Sequence, residues 1–419
     1  MIHPSRAGFR EGLAAFQFRN FRLFWFGQLV SLVGTWMQST AQSWLVLQLS
    51  DSPLAVGLVW AFQFTPVTVL SMLGGVFADR RNKRRVLIVT QSLAALQALT
   101  LSLLTLTGHI TVGWVLGLAA MLGLINAFDV PTRQAFVVEL VGRDALMNAI
   151  AFNSSAFNAA RILGPAVGGV LIASLSAGGV FLINAASYLA VIAGLVLVRE
   201  AELTARPERV RERIVQSLKA GLDYVRHAPA VLLAIFLVGV VATFGMNFTV
   251  LLPVMARDVF DIGAQGFGML MAAYGVGSVG AGLFLAFRSR LDARRSMLWG
   301  GAGVAVLGLA FALSPWLHAL PLSVALLFGV GFAAITLTAT ANTSIQRRVP
   351  DALRGRVMAV YITVFSASVP LGSLFAGGLA KGWGAPFSLG AGAVLSGVGV
   401  LWAALRLHPA AEADSSPAA

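Results

Sequence analysis

Gly74-Gly75-Val76-Phe77-Ala78-Asp79-Arg80-Arg81-Asn82-Lys83-Arg84-Arg85 is the stretch that decides the fold. It lies between two long apolar segments, so it is a tight loop at one face of a membrane. Five of its last six residues are cationic. Lys and Arg accumulate on cytoplasmic loops, which assigns this face. One acid, Asp79, stands where an apolar helix ends. A helix end, a lone carboxylate and an arginine cluster suit a latch that opens and closes.

The rest of the chain agrees with a membrane setting. Of its 419 residues, 58% are hydrophobic and 11% charged, whereas soluble domains carry about a quarter charged residues. The apolar residues come in blocks of roughly 20, the length that crosses a bilayer as a helix. Twelve spans are predicted: about 21–48, 54–78, 86–107, 112–129, 148–173, 178–198, 230–256, 264–287, 296–314, 320–342, 357–380 and 385–405. With the N-terminus inside, 27 of the 30 Lys and Arg fall in inside segments. The three others are Arg161 within a span, and Arg257 and Lys381 near outside ends. Both termini are therefore expected in the cytoplasm. The net charge of +13 follows from this asymmetry and needs no nucleic acid. There is no cysteine, and the five histidines are scattered, so thiol chemistry and a Cys or His metal site are not expected. No cofactor and no enzymatic activity are expected.

The longest hydrophilic segment, 199–229, is close to the middle. Its part Ile214–Arg226 has apolar residues at helical spacing (Ile214, Leu218, Leu222, Val225), which predicts an interfacial helix. The expected organisation is a lead-in at 1–20, a six-helix bundle at 21–198, the linker at 199–229, a second six-helix bundle at 230–405 and a tail at 406–419. The halves echo each other. Asp144-Ala145-Leu146 precedes the fifth span and Asp351-Ala352-Leu353 the eleventh; each span has a central proline (Pro165, Pro370) and a Gly-Gly pair. Small residues recur every fourth position in the fifth span (Ala156, Ala160, Gly164, Gly168), the eighth (Ala273, Gly277, Ala281) and the eleventh (Ser368, Gly372, Ala376, Ala380). Such stripes allow close helix approach in lipid. They fit either sliding contacts between the halves or tight packing within one bundle.

The opening stretch resembles the loop between helices 2 and 3 of major facilitator superfamily transporters, G-x-x-x-D-R-x-G-R-R/K. Gly75, Asp79, Arg80, Lys83 and Arg84 fall on that pattern. Asn82 stands where the family usually has glycine; asparagine is the next most tolerant residue of a left-handed turn. Gly164-Pro165-Ala166-Val167-Gly168-Gly169 is similar to the helix-5 signature of the superfamily's antiporter branches, which is associated with export. Asn126–Phe136 and Asn158–Pro165 resemble the bacterial branch that contains the enterobactin exporter. The resemblance implies an all-α membrane fold of two pseudo-symmetric six-helix bundles in the bacterial inner membrane, with a site between them and rocking alternating access. It implies export of small siderophore-like or drug-like molecules, proton antiport and a monomer. An importer, or a receptor on the same fold, is the alternative. No Walker loop occurs, so ATP is not expected.

The cytoplasmic gate is expected at Gly75, Asp79, Arg80, Lys83, Arg84, Asp129 and Arg133. Asp129 closes the fourth span and either carries a proton or pairs with Arg80 or Arg133. Arg80 and Lys83 would hold acids such as Asp129 or Glu139. Arg161 lies near mid-membrane, where an unpaired arginine costs at least ~2.5–3.5 kcal/mol. Two readings are open for it: an anchor for an anionic substrate or a tuner of a titrating acid, and a clamp on backbone carbonyls or on Asn153 and Asn158. Gln28, Ser31, Thr35, Gln38 and Gln42 fall on one helical face, which suits a cavity wall or a helix contact. By resemblance, helices 1, 4, 7 and 10 line the cavity, with Asn126, Thr243, Asn247, Thr336, Thr340 and Thr343 as counterparts. Trp36, Phe128, Phe244 and Met246 suit an apolar wall. The substrate and coupling set is thus Arg161, Gln28, Thr35, Gln38, Asn126, Asn158 and Asn247. Three departures bear on coupling. The first span has no carboxylate, the fourth no internal arginine, and the loop Arg288–Arg295 is a degenerate copy of the opening motif.

Overall fold

The structure, a computed structural model, describes residues 13–204, 214–288 and 292–407. Arg6, Arg10, the charged run 206–213, most of the tail and the centre of the loop 288–295 lie outside the described residues. Among the described residues all regular structure is helical. The chain runs through α1 (Arg19–Ser50), α2 (Pro53–Arg80), α3 (Lys83–Leu106), α4 (Val112–Val141) and α5 (Leu146–Val196). It continues with α6 (Ile214–His227), α7 (Pro229–Phe244), α8 (Phe248–Val254) and α9 (Gly263–Phe287), then α10 (Ala293–Leu313), α11 (Leu320–Arg348), α12 (Asp351–Trp383) and α13 (Ala385–Arg406). Ten helices among the described residues are long and apolar enough to cross a membrane.

α5 has 51 residues but is not one rod. Ser176, with φ 66° and ψ 170°, breaks it. The first arm runs alongside α1 in the same direction: Asn148 accepts from the Ala15 amide, and Gly164 lies against Trp36. The second arm returns antiparallel, with Gly34 against Asn184 and Ser187, Gly27 against Ala190, and Gly194 against Leu23. The element is a helical hairpin, two antiparallel arms joined at Ser176, which lie where two of the spans are expected.

Contacts group the chain into two compact units, one of 1–210 with 249–275 and one of 211–248 with 276–419. In the first, Phe21, Phe24, Leu87, Phe136, Leu140 and Leu195 form a core with almost no exposure. Outward-facing positions are apolar as well: Val69 is 65% exposed and Leu189 62%. Apolar surface on both sides of a helix is what lipid requires.

Tight packing marks both units. A side chain at Gly74 would overlap the Ala127 carbonyl, so α2 and α4 meet backbone to backbone there. The stripes of the second unit pack inside it. Gly277 faces the Phe328 backbone on α11, and Ser388 donates to the Ala376 carbonyl at 2.8 Å. Gly372 lies under the Thr243 carbonyl. For Gly277, Gly372 and Ala376 the packing within one bundle is therefore the reading that holds. The linker helix α6 lies against α12, with Gly221 on the Arg356 carbonyl. Val225 is buried there, whereas Leu222, expected on the same face, is 42% exposed.

Candidate functional site

The loop between α2 and α3 is built by its polar side chains. Arg81 is extended, and Asn82 follows at φ −67° and ψ 110°. Asn82 is thus not in the left-handed conformation that its place in the motif predicts. Its Oδ1 accepts the Arg85 amide at 3.1 Å and caps α3, one of the strongest roles for asparagine at a helix start. The degenerate second loop keeps the same device: Asp292 accepts the Arg295 amide at 2.8 Å and caps α10. The close helix approach comes from Gly74, which the sequence left unassigned, rather than from Gly75. A side chain at Gly75 would meet only Pro131, at 3.9 Å.

Two cations of the loop, Lys83 and Arg84, are tied to neighbouring elements. Lys83 Nζ donates to Glu139 Oε1 at 2.7 Å, with side-chain exposures of 7% and 10%. Arg84 reaches the end of α5, where Nε donates to the Leu195 carbonyl at 2.6 Å and Nη2 to Val196 at 2.7 Å. Helix ends leave such carbonyls without intrahelical partners. Its Nη1 donates to Glu200 at 2.8 Å, and this hydrogen bond holds the Glu200 carboxyl below its ordinary range. Asp79 and Arg80 are exposed at the end of α2. Arg80 forms no ion pair with a described residue.

Asp129 is buried, 1% exposed. Its Oδ1 accepts from Thr90 Oγ1 at 2.7 Å and Gln91 Nε2 at 2.8 Å, and Oδ2 takes an ion pair from Arg133 one turn on. The pairing with Arg80 is not formed; the i,i+4 neighbour on its own helix and two α3 side chains meet it first. A carboxylate this deep persists only when paired and hydrogen-bonded.

Arg161 sits on the first arm of α5. Its Nε and Nη2 are buried and have no hydrogen-bond partner. The guanidinium faces the Tyr274 ring at 6.0 Å from the centroid. Asn158 donates instead to the Ser154 carbonyl of its own helix at 2.9 Å, so the clamp on Asn158 is not formed. One turn further, Gly164 and Gly168 lie on Trp36 and Met37 of α1, and Gly169 approaches Gly268 of α9 to 2.8 Å from a built Cβ. Pro165, between them, turns its carbonyl toward Gly268. The signature residues thus form the tight seat of this arm. Trp36 also edges Phe157 at 5.8 Å.

The polar face of α1 is largely consumed by its neighbours. Asn184 Nδ2 donates to Gln38 Oε1 at 2.7 Å, Gln38 Nε2 to Gln97 Oε1 at 3.2 Å, and Gln97 Nε2 to the Leu118 carbonyl at 3.2 Å. Thr35 Oγ1 donates to Ser31 at 2.8 Å and lies 3.4 Å from the Tyr188 hydroxyl. Gln38, 2% exposed, thus takes the helix-contact alternative, and Thr35 lies half-buried beside Tyr188. In a low-dielectric bundle the neighbours' polar groups are the available partners. Gln97 and Asn184 lie outside the expected set; their signal is an amide within an otherwise largely apolar span. Gln28 and Gln42 are buried with Oε1 and Nε2 unpartnered. Asn126 is half-buried. Asn247, where the helix breaks between α7 and α8, donates to the Thr243 carbonyl at 2.7 Å, and Thr336 bonds its own helix at Phe332. Phe128 and Phe244 pack edge-on against Phe77 and Phe375. Arg257, one of the cations near an expected outside end, has partners that the sequence does not assign: its Nη1 donates to the Leu47 carbonyl at 2.7 Å and to Asp51 at 2.8 Å, and its Nε pairs with Asp258 at 2.5 Å.

The family model described as transmembrane secretion effector, within the major facilitator superfamily, matches residues 10–419. The chain belongs to that family. It is a multi-pass bacterial membrane protein and a transporter rather than an enzyme. The staphyloferrin A transporter of Staphylococcus aureus is 27% identical over 358 residues, covering 84% of this chain and 87% of that protein. The multidrug efflux pump Tap of Mycolicibacterium fortuitum is 29% identical over 369 residues, covering 86% and 88%. The enterobactin exporter EntS of Escherichia coli is 26% identical over 388 residues, covering 91% and 89%. Among solved structures, the transporter PepTSo superposes with a TM-score of 0.75 at 13% identity, covering 92% of this chain and 97% of that one. A bacterial homologue of the human lysosomal transporter Spinster gives 0.73 at 14% identity, covering 92% and 95%. These two similarities concern the fold.

Proposed function

We propose that this transporter is a secondary active exporter of small amphiphilic or anionic molecules, siderophore-like or drug-like, driven by proton antiport. The observation that carries the reading is Arg161: a guanidinium within the membrane with two buried, unpartnered nitrogens. A cation left unsatisfied at that depth is expensive and suits a group that waits for an anion. Tyr274 gives the same place an aromatic face, which suits an amphiphile. The names of the relatives support export as the direction.

In this reading twelve helices cross the membrane with both termini inside, and two six-helix bundles, about 21–198 and 230–405, rock to alternate access. Asp79, Arg80, Lys83 and Arg84 with Asp129 and Arg133 form the cytoplasmic gate. Asp79 acts against the N-terminal end of α12 near Gly355, where the helix dipole favours an anion. Gln28, Asn126 and Asn247 line the substrate path. The test is flux into inverted vesicles under an imposed pH gradient, screened over siderophores, dyes and antibiotics. Accumulation that collapses with the gradient is expected. Accumulation only in right-side-out vesicles would make the protein an importer, and binding without flux would make it a receptor.

A further inference from the structure

α10 and α13 run antiparallel, so the N-terminal end of one meets the C-terminal end of the other within the second unit. Between them is an open groove of about 420 Å³, within the size range of small-molecule sites. Its floor is made of small residues, Ala302 and Gly397 among them, and its rims of Trp299, Val306 and Leu401. Those rims are 76%, 67% and 60% exposed. Arg295 closes one end. From Arg295 to Val306 the helix rises about 16 Å. One leaflet of a bilayer's hydrocarbon core is about 15 Å deep. The groove therefore runs the depth of one leaflet and stops at a cation.

That end is strongly positive. Arg294, Arg295 and Arg406 gather there, with Asp292 as the acid that caps α10. Arg294 ties the two walls by donating from Nη2 to the Ala404 carbonyl at 3.0 Å, yet its Nε is buried and has no partner. An exposed tryptophan one turn inward from the arginines marks the depth where headgroups meet acyl chains.

We infer that this groove is a binding site for an anionic glycerophospholipid, with one acyl chain along α10 and α13 and the phosphate on Arg295 and Arg294. Charge complementarity selects the headgroup, and the apolar channel selects a lipid over a soluble phosphate.

The test uses the full-length protein purified in detergent, with native mass spectrometry to count bound phosphatidylglycerol and phosphatidylcholine of identical acyl chains. The wild type should retain phosphatidylglycerol in preference. Arg295→Gln should lower that preference about fivefold, the effect of one surface arginine near lipid, while Arg295→Lys keeps it. Ala302→Leu, which fills the floor, should weaken both lipids. Lys219→Gln, an exposed cation of α6, should change nothing. Glycerol 3-phosphate should not compete. Equal retention of the two lipids by the wild type overturns the proposal. So does an unchanged preference in Arg295→Gln, or an equal loss in Lys219→Gln. Full competition by glycerol 3-phosphate would make the site one for a soluble anion and also overturns it.

Discussion

Replacing Arg161 with methionine should make the protein more stable and less able to carry anions. The two buried guanidinium nitrogens have no hydrogen-bond partner, and each such group costs about 1–3 kcal/mol. The Tyr274 contact at 6.0 Å returns about 0.5–2 kcal/mol. Methionine has a similar length, packs flexibly and removes the charge. The net gain is about 2 kcal/mol, close to the cost of inserting a central arginine. At roughly 2–4 °C per kcal/mol for a large domain, the melting temperature in detergent should rise by about 4 °C or more. Transport measured on a carboxylate-bearing substrate and its neutral ester separates the functional part. The acid should lose most of its flux and the ester little. A fall in melting temperature would mean that the arginine is a structural clamp. Equal losses for acid and ester would remove its role as an anion anchor.

Three other outcomes follow from the loop at the end of α2. Asp79→Asn should abolish or strongly impair flux at unchanged expression; normal rates would defeat the gate. Lys83→Met removes an ion-pair partner of Glu139 in a site where both side chains are at most 10% exposed. It should destabilise by at most about 3–5 kcal/mol, most of it recovered in Lys83→Met/Glu139→Met, and denaturation of the three proteins measures it. Glu200, outside the spans, has a lowered pKa through its bond from Arg84. Its contribution is therefore present above the ordinary carboxylate range and lost as pH falls through the lowered value. Hydrogen exchange at Arg199–Leu203, corrected for its intrinsic pH dependence, should be flat between roughly pH 5 and 8 and quicken only in stronger acid; a rise near neutrality would contradict the tie.

Local signals in the chain carried far. The helices, the charged loop and the linker helix α6 are legible because apolar length and periodicity are properties of neighbouring residues. The Asp129–Arg133 pair is legible for the same reason, being one helical turn. Partner choice over long distances was harder. For Gln38 and Thr35 the sequence leaves cavity wall and helix contact both open, because it shows which face is polar but not that Gln97, Asn184 and Tyr188 meet it. Asn82 was placed by its motif position as a turn residue. Its side chain competes for the Arg85 amide, and that interaction wins. The Gly74-Gly75 pair reads as one unit, yet only Gly74 faces the Ala127 backbone. Which of two adjacent small residues points inward depends on the rotation of α2 against α4.

The break at Ser176 bears on how the chain enters a membrane. The arms 146–175 and 177–196 are joined by a single non-helical residue, leaving no polar segment to hold in water between them. Their apolar faces and backbone bonds are best satisfied when both are in lipid together. The two arms should thus insert as one hairpin, and a stretch long enough for both must emerge before either commits. A reporter inserted after Ser176 would separate the arms and should lower yield sharply. The same insert at Thr204, beyond the hairpin, should be carried without loss.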